Sequence, residues 1–157
     1  MNKLGIEKNK LDKIEKQIIN LKLNMLDETF TFNSTDFDLR YLVKLHSYLF
    51  DEFYFNCDRG LRRLSNIEKK LINELLKEIS YVCINNPCDI NLIINNIVEI
   101  WALQPFVNGN TRTLVAFLKV ITECFDLNLD MDVNKNIVSN PKTFEKYMLV
   151  NQKRLTR

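Results

Sequence analysis

Apolar residues recur at helical spacing along most of this chain. Leu11, Ile14, Ile18, Leu21 and Met25 fall three or four apart, which predicts one stripe on a helix over about residues 4–26. Ser34, Thr35 and Asp36 are candidate N-caps for a second helix carrying Leu42, Leu45, Leu49 and Phe53, and Gly60 suits its C-terminal cap. A third helix is expected from near Asn66, with Ile67, Leu71, Leu75, Ile79 and Val82 inward and Asn85-Asn86-Pro87 ending it. A fourth, from about Asp89 to Leu103, has few polar positions and is expected to be central. A fifth covers Thr111 to Phe125, and a last begins after Pro141 with Phe144, Tyr147 and Met148 as its apolar side. Only Thr29-Phe30-Thr31-Phe32 alternates with the period of an extended strand. The expected architecture is all-α, a single domain over residues 1–157, with 90–103 and 111–125 as a buried central pair of helices.

Composition narrows the function classes. The 157 residues are 46% apolar and 27% charged, an ordinary globular balance with enough chain for a sizeable core. A net charge of +2 is too small to argue for nucleic acid. Arg59, Arg62 and Arg63, like Lys153, Arg154 and Arg157, read as solvated surface. No stretch approaches about 18 consecutive apolar residues, so no membrane span is expected. Residues 1–26 are charged and periodic without an apolar leader core, and a cytoplasmic setting is expected. Cys57, Cys83, Cys88 and Cys124 lack Cys-x-x-Cys spacing and stand far from the single His46, so no metal site is expected from them.

The candidate chemistry lies in residues 103–113, Leu-Gln-Pro-Phe-Val-Asn-Gly-Asn-Thr-Arg-Thr. This polar turn holds one of only three glycines and sits between two apolar segments. The start of the following helix offers unpaired backbone N–H groups and a positive dipole end, an arrangement suited to anions. Arg112 adds a full charge one turn in. Asn108, Gly109, Asn110, Thr111 and Arg112 are therefore candidate anion- or nucleotide-binding residues. Asn108 and Asn110 also read as turn and cap residues, since Asn tolerates left-handed geometry.

The segment resembles the central motif of the Fic (Fido) family, His-Pro-Phe-x-Asp/Glu-Gly-Asn-Gly/Thr-Arg-x-x-Arg, through Pro105, Phe106, Gly109, Asn110, Thr111 and Arg112. Phe37-Asp38-Leu39 and Leu45-His46-Ser47-Tyr48-Leu49-Phe50, followed by Gly60 and Arg63, are similar to the family's preceding helix and its closing turn. The resemblance covers roughly residues 36–126 and implies a Fic-like helical bundle, whose family activity is transfer of AMP from ATP to a protein hydroxyl. Leu64-Ser65-Asn66 alone separate Arg63 from the third helix, so at most a vestigial β-hairpin replaces the family's target-docking flap. Main-chain pairing to an extended target is then expected to have no edge. No Ser/Thr-x-x-x-Glu-Gly/Asn inhibitory helix is found.

Three departures touch chemistry. Gln104 stands where the family has its catalytic His, Asn108 where it has the acid associated with magnesium, and Val115 where it has the second Arg. A carboxamide has no basic nitrogen at neutral pH, and general base catalysis is worth about 10²–10⁴-fold. Magnesium favours carboxylate oxygens and substrate phosphates over a neutral amide. Val115 cannot pair with phosphate. The resemblance therefore implies a catalytically impaired protein that binds a partner protein or a nucleotide, with ATP and Mg2+ held weakly. The alternatives are a transferase with altered chemistry, in which Gln104 orients groups and water carries the proton, and a plain helical interaction module. Gln104 also reads as a satisfied polar group beside the pocket, His46 as structural, and Trp101 as core packing.

Overall fold

A computed structural model describes residues 5–25, 37–51, 60–86 and 89–124, and among these residues there are five helices. They are α1 (Lys8–Asn24), α2 (Leu39–Phe50), α3 (Asn66–Asn85), α4 (Ile90–Leu103) and α5 (Asn110–Cys124). Among the described residues there is no strand; one antiparallel bridge joins Leu61 to Phe106. No described helix is long and apolar enough to cross a membrane. The alternating segment 29–32, the expected caps at 34–36, Phe53, Pro87, Phe125 and the helix expected after Pro141 lie outside the described residues.

α5 is the centre of the fold. Thr113 through Leu118, Val120 and Ile121 are all buried, so the helix has almost no solvent face over its first two turns. It packs on α2 and α4, while α3 packs on α4 and α2. Phe117 meets Phe37 at 5.0 Å and Tyr41 at 5.8 Å, and the latter two meet at 4.9 Å, all edge-on. Such edge-to-face contacts set the positive ring edge against the negative face. α4 contributes Ile93, Ile94, Ile97 and Ile100. The expected pair is buried only in part: α5 lies inside, whereas α4 leaves Asn95, Glu99 and Ala102 exposed.

Local chemistry explains where the helices begin. Asp38 caps α2 by accepting from the Tyr41 N–H at 3.0 Å. Ser65 and Glu68 form a reciprocal capping box at the start of α3, which satisfies two backbone donors at once. α3 ends at Asn85, as the Asn-Asn-Pro sequence predicts. One buried polar bridge crosses α3 and α4: Asn96 donates to the Leu75 carbonyl at 3.1 Å and to Glu78 at 2.9 Å.

Three expectations need correction. On α3 the inward face is Ile72, Leu75, Leu76, Ile79, Val82 and Cys83, whereas Ile67 is 81% exposed and Leu71 40%. Two apolar stripes coexist on that helix, and the one continuous over more turns is buried. On α1 the inward seam is Leu11, Glu15 and Ile19, and Leu21 and Met25 are exposed. Gly60 does not cap α2, which ends ten positions earlier at Phe50; its carbonyl instead accepts from the Val107 N–H at 2.9 Å.

The phase of α3 makes a direct prediction. Ile72→Ala should cost about 2–5 kcal/mol, as expected for a fully buried aliphatic. Ile67→Ala should stay within about 0.5 kcal/mol. Urea unfolding of the two variants measures the difference, and equal costs would place the buried stripe elsewhere.

Candidate functional site: the turn between α4 and α5

The turn begins with a strained residue. Gln104 caps α4 in the left-handed region, at φ 48°, the single non-glycine residue with positive φ among those described. Its side chain offsets this locally. Nε2 donates to the Trp101 carbonyl at 2.7 Å, and Oε1 accepts from Asn110 Nδ2 at 3.1 Å. Both ends of the carboxamide are thereby engaged within the turn.

Asn110 holds the loop closed. Its Oδ1 accepts from the Phe106 N–H at 2.8 Å, and Nδ2 also donates to the Phe106 carbonyl at 2.9 Å. One buried side chain thus satisfies both main-chain groups of Phe106 that face away from Leu61. On the other side, Arg62 N–H donates to the Pro105 carbonyl at 2.9 Å. The Arg62 guanidinium reaches the carbonyls of Gln104 at 2.7 Å and Leu103 at 2.8 Å, where α4 leaves acceptors unpaired and its dipole is negative. It also pairs with Glu68. Glu68 is held at about 2, below its ordinary 4.5, first by this hydrogen bond and then by the Ser65 N–H. As one of a basic cluster Arg62 reads as solvated surface; here it clamps the C-terminus of α4.

His46 and Gly109 set the turn against α2. His46 is buried, stacks on Phe106 at 4.3 Å and 12°, and its Nε2 lies 2.9 Å from the Asn108 carbonyl. A carbonyl only accepts, so Nε2 carries the proton. Gly109 has φ +84°, and a Cβ there would lie 2.5 Å from a Phe50 ring carbon. This glycine is required twice, by conformation and by space. Its carbonyl then accepts from both the N–H and the hydroxyl of Thr113, which starts α5.

The first turn of α5 is open. Among the described residues, nothing accepts from the N–H groups of Asn110, Thr111 or Arg112, the open first turn of α5. The side chains are less available. Asn108 Oδ1 accepts from the Gly109 N–H at 2.7 Å. Thr111 Oγ1 accepts from the Trp101 indole at 2.8 Å, so Trp101 ties α4 to α5 as well as packing on the core edge.

Arg112 carries the largest surprise. Its Nη1 donates to Glu15 Oε1 at 2.6 Å, across 97 positions of sequence. The Glu15 side chain is only 2% exposed, that of Arg112 27%, and the guanidinium lies 5.8 Å from the Phe50 ring centroid. A carboxylate from α1 thus stands where an external anion would pair. Sequence reading missed it because an acid on a helix is ordinarily solvated.

Asn108 is a neutral amide already engaged, and no group of three or more His, Cys, Asp or Glu able to hold a metal occurs among the described residues. Val115 is 5% exposed and part of the core.

The stretch after Gly60 pairs with Pro105–Val107 through two main-chain bonds, and Ser65 then caps α3 directly. In that bond pattern Leu61 turns its own N–H and C=O away from the turn.

No protein-family model matches this chain, and no curated protein matches it either.

Two measurements probe this geometry. Gly109→Ala should destabilise the fold by about 1–3 kcal/mol, from positive φ and the Phe50 clash together, as read by thermal unfolding. The Arg62–Glu68 pair should contribute stability that is present above pH 4.5 and lost as pH falls towards about 2, because Glu68 binds its proton more readily when unfolded. Glu68→Gln should remove that part of the acid dependence, and an unchanged pH profile would count against the clamp.

Proposed function

We propose that this chain is a Fic-like protein that retains the anion-binding turn, has lost efficient AMP transfer, and acts by binding a nucleotide phosphate or a partner protein. The observation that carries this reading is the state of Gln104. At the position of the family's base stands a carboxamide whose two polar ends are bonded to Trp101 and Asn110. It has no proton-accepting nitrogen to offer a substrate hydroxyl. It supports the turn and performs no chemistry there.

The same reading accounts for weak binding. The open N–H groups of Asn110–Arg112 favour a phosphate, but Glu15 already neutralises Arg112. An incoming anion displaces that carboxylate or makes do with the backbone donors. Restoring catalysis by substitution is also harder than residue types suggest. Gln104→His and Asn108→Glu fall on exposed positions, but Val115→Arg would put a charge in the core.

A second reading, a helical interaction module, is favoured by the apolar residues Ile67, Leu71 and Tyr81, which α3 leaves on its solvent side. Phosphate separates the two. Removing Arg112 alone would break a partly buried ion pair and cost up to about 3–5 kcal/mol, so the comparison uses Glu15→Ala and the double variant Glu15→Ala/Arg112→Ala. Phosphate and ATP should shift the amide signals of Asn110–Arg112 in Glu15→Ala at about tenfold lower concentration than in the native chain, a gain of about 1.4 kcal/mol. The double variant should lose that gain. Silence of these amides in Glu15→Ala at millimolar phosphate rejects the anion site. Labelled ATP should transfer no AMP to lysate proteins with the native chain, and robust labelling would assign an altered enzyme instead.

A further inference from the structure

We propose that Asn108–Gly109 is a self-modifying site, at which the Gly109 main-chain nitrogen closes on the Asn108 carboxamide and converts residue 108 to an aspartyl or isoaspartyl residue. It is the only Asn-Gly pair in the chain. Asn108 is exposed at the tip of the turn. The Gly109 N–H donates to Asn108 Oδ1 at 2.7 Å, so the carboxamide is already folded back over the nitrogen that attacks it. Pre-formed contact between reacting groups is what speeds intramolecular reactions. Gly109 carries no Cβ to shield that nitrogen.

The chemistry needs only water. Hydroxide removes the Gly109 N–H proton, a bond forms between that nitrogen and Asn108 Cγ, and the NH2 group leaves as ammonia after taking a proton from water. The product is a five-membered cyclic imide. Water then adds to one of its two carbonyls. Breaking the nitrogen–Cγ bond leaves aspartate, and breaking the nitrogen–main-chain carbonyl bond leaves isoaspartate. In total one water is consumed and one ammonia released.

The fold sets the rate and the product. His46 Nε2 holds the Asn108 carbonyl, and Gly109 lies against Phe50, so the turn rotates less freely than an unfolded chain. Isoaspartate adds a methylene to the main chain next to that contact and is disfavoured relative to aspartate. An aspartate at 108 places a carboxylate beside the open N–H groups of α5, where it competes with an external anion for them. That consequence rests on the proposed anion site; the conversion does not.

The test is storage of the purified full chain, followed by digestion and mass measurement of the peptide containing residue 108. A parallel sample is held in urea, and Asn108→Gln serves as control. The converted fraction should rise with time and with alkalinity in the folded chain, more slowly than in urea and with a larger share of aspartate. Asn108→Gln should not convert at that position within the same period. An unmodified residue 108 in the folded chain overturns the proposal, whether or not the urea sample converts. Asn108→Asp is then titrated with inorganic phosphate alone. Weaker amide shifts at residues 110–112 than in the native chain support the competition, and equal or stronger shifts reject it, while the mass result decides the conversion by itself.

Discussion

The close approach of Gly109 to Phe50 is the constraint from which the rest of the turn follows. With no Cβ, the main chain at 109 lies against a ring that ends α2, and the positive φ there turns the chain sharply into α5. Everything adjacent is arranged to keep that contact. Asn110 holds the loop from within, His46 stacks beneath Phe106, and Thr113 bonds back to the Gly109 carbonyl. α5 is thereby driven through the middle of the bundle with nearly every early residue buried. Any larger residue at 109 would push α2 and α5 apart, and the core between them would follow.

Around this turn, charge is met by internal partners. Two guanidiniums meet the loop at opposite ends. Arg62 neutralises the carbonyl end of α4 and shares itself with Glu68, and Arg112, at the amide end of α5, is met by Glu15. Gln104 engages both ends of its carboxamide within the turn. Among the described residues, what remains open is the row of main-chain donors at 110–112, whose attraction for anions depends on geometry and not on side-chain identity.

Helix existence and the buried faces of α4 and α5 follow from apolar spacing because those segments leave no competing arrangement. Ile93, Ile94, Ile97 and Ile100 on α4 and Leu114 to Leu118 on α5 form dense apolar faces that have to be inside, although α4 also carries Asn95 and Glu99 on an exposed face. α3 is different. Ile67 and Leu71 fit the spacing rule as well as Ile72 and Leu76 do, and only the neighbouring helices decide between the stripes. α1 fails for another reason: its seam is completed by an acid, and a rule that counts apolar residues passes over Glu15. The site was visible as a run of residue types, Asn-Gly-Asn-Thr-Arg, but not as a set of bonds. That Asn110 binds main chain, that Thr111 accepts from Trp101 and that Arg62 reaches back across 42 positions are tertiary facts with no local signature.

The pairing of Glu15 with Arg112 also orders events in time. Its two partners lie 97 positions apart on α1 and α5. At about 5–20 residues per second, roughly 5–20 s of synthesis separate them. α1 can make this contact only after Arg112 has emerged and α5 has formed around it, so a nascent chain halted before residue 112 lacks this tie between α1 and the turn.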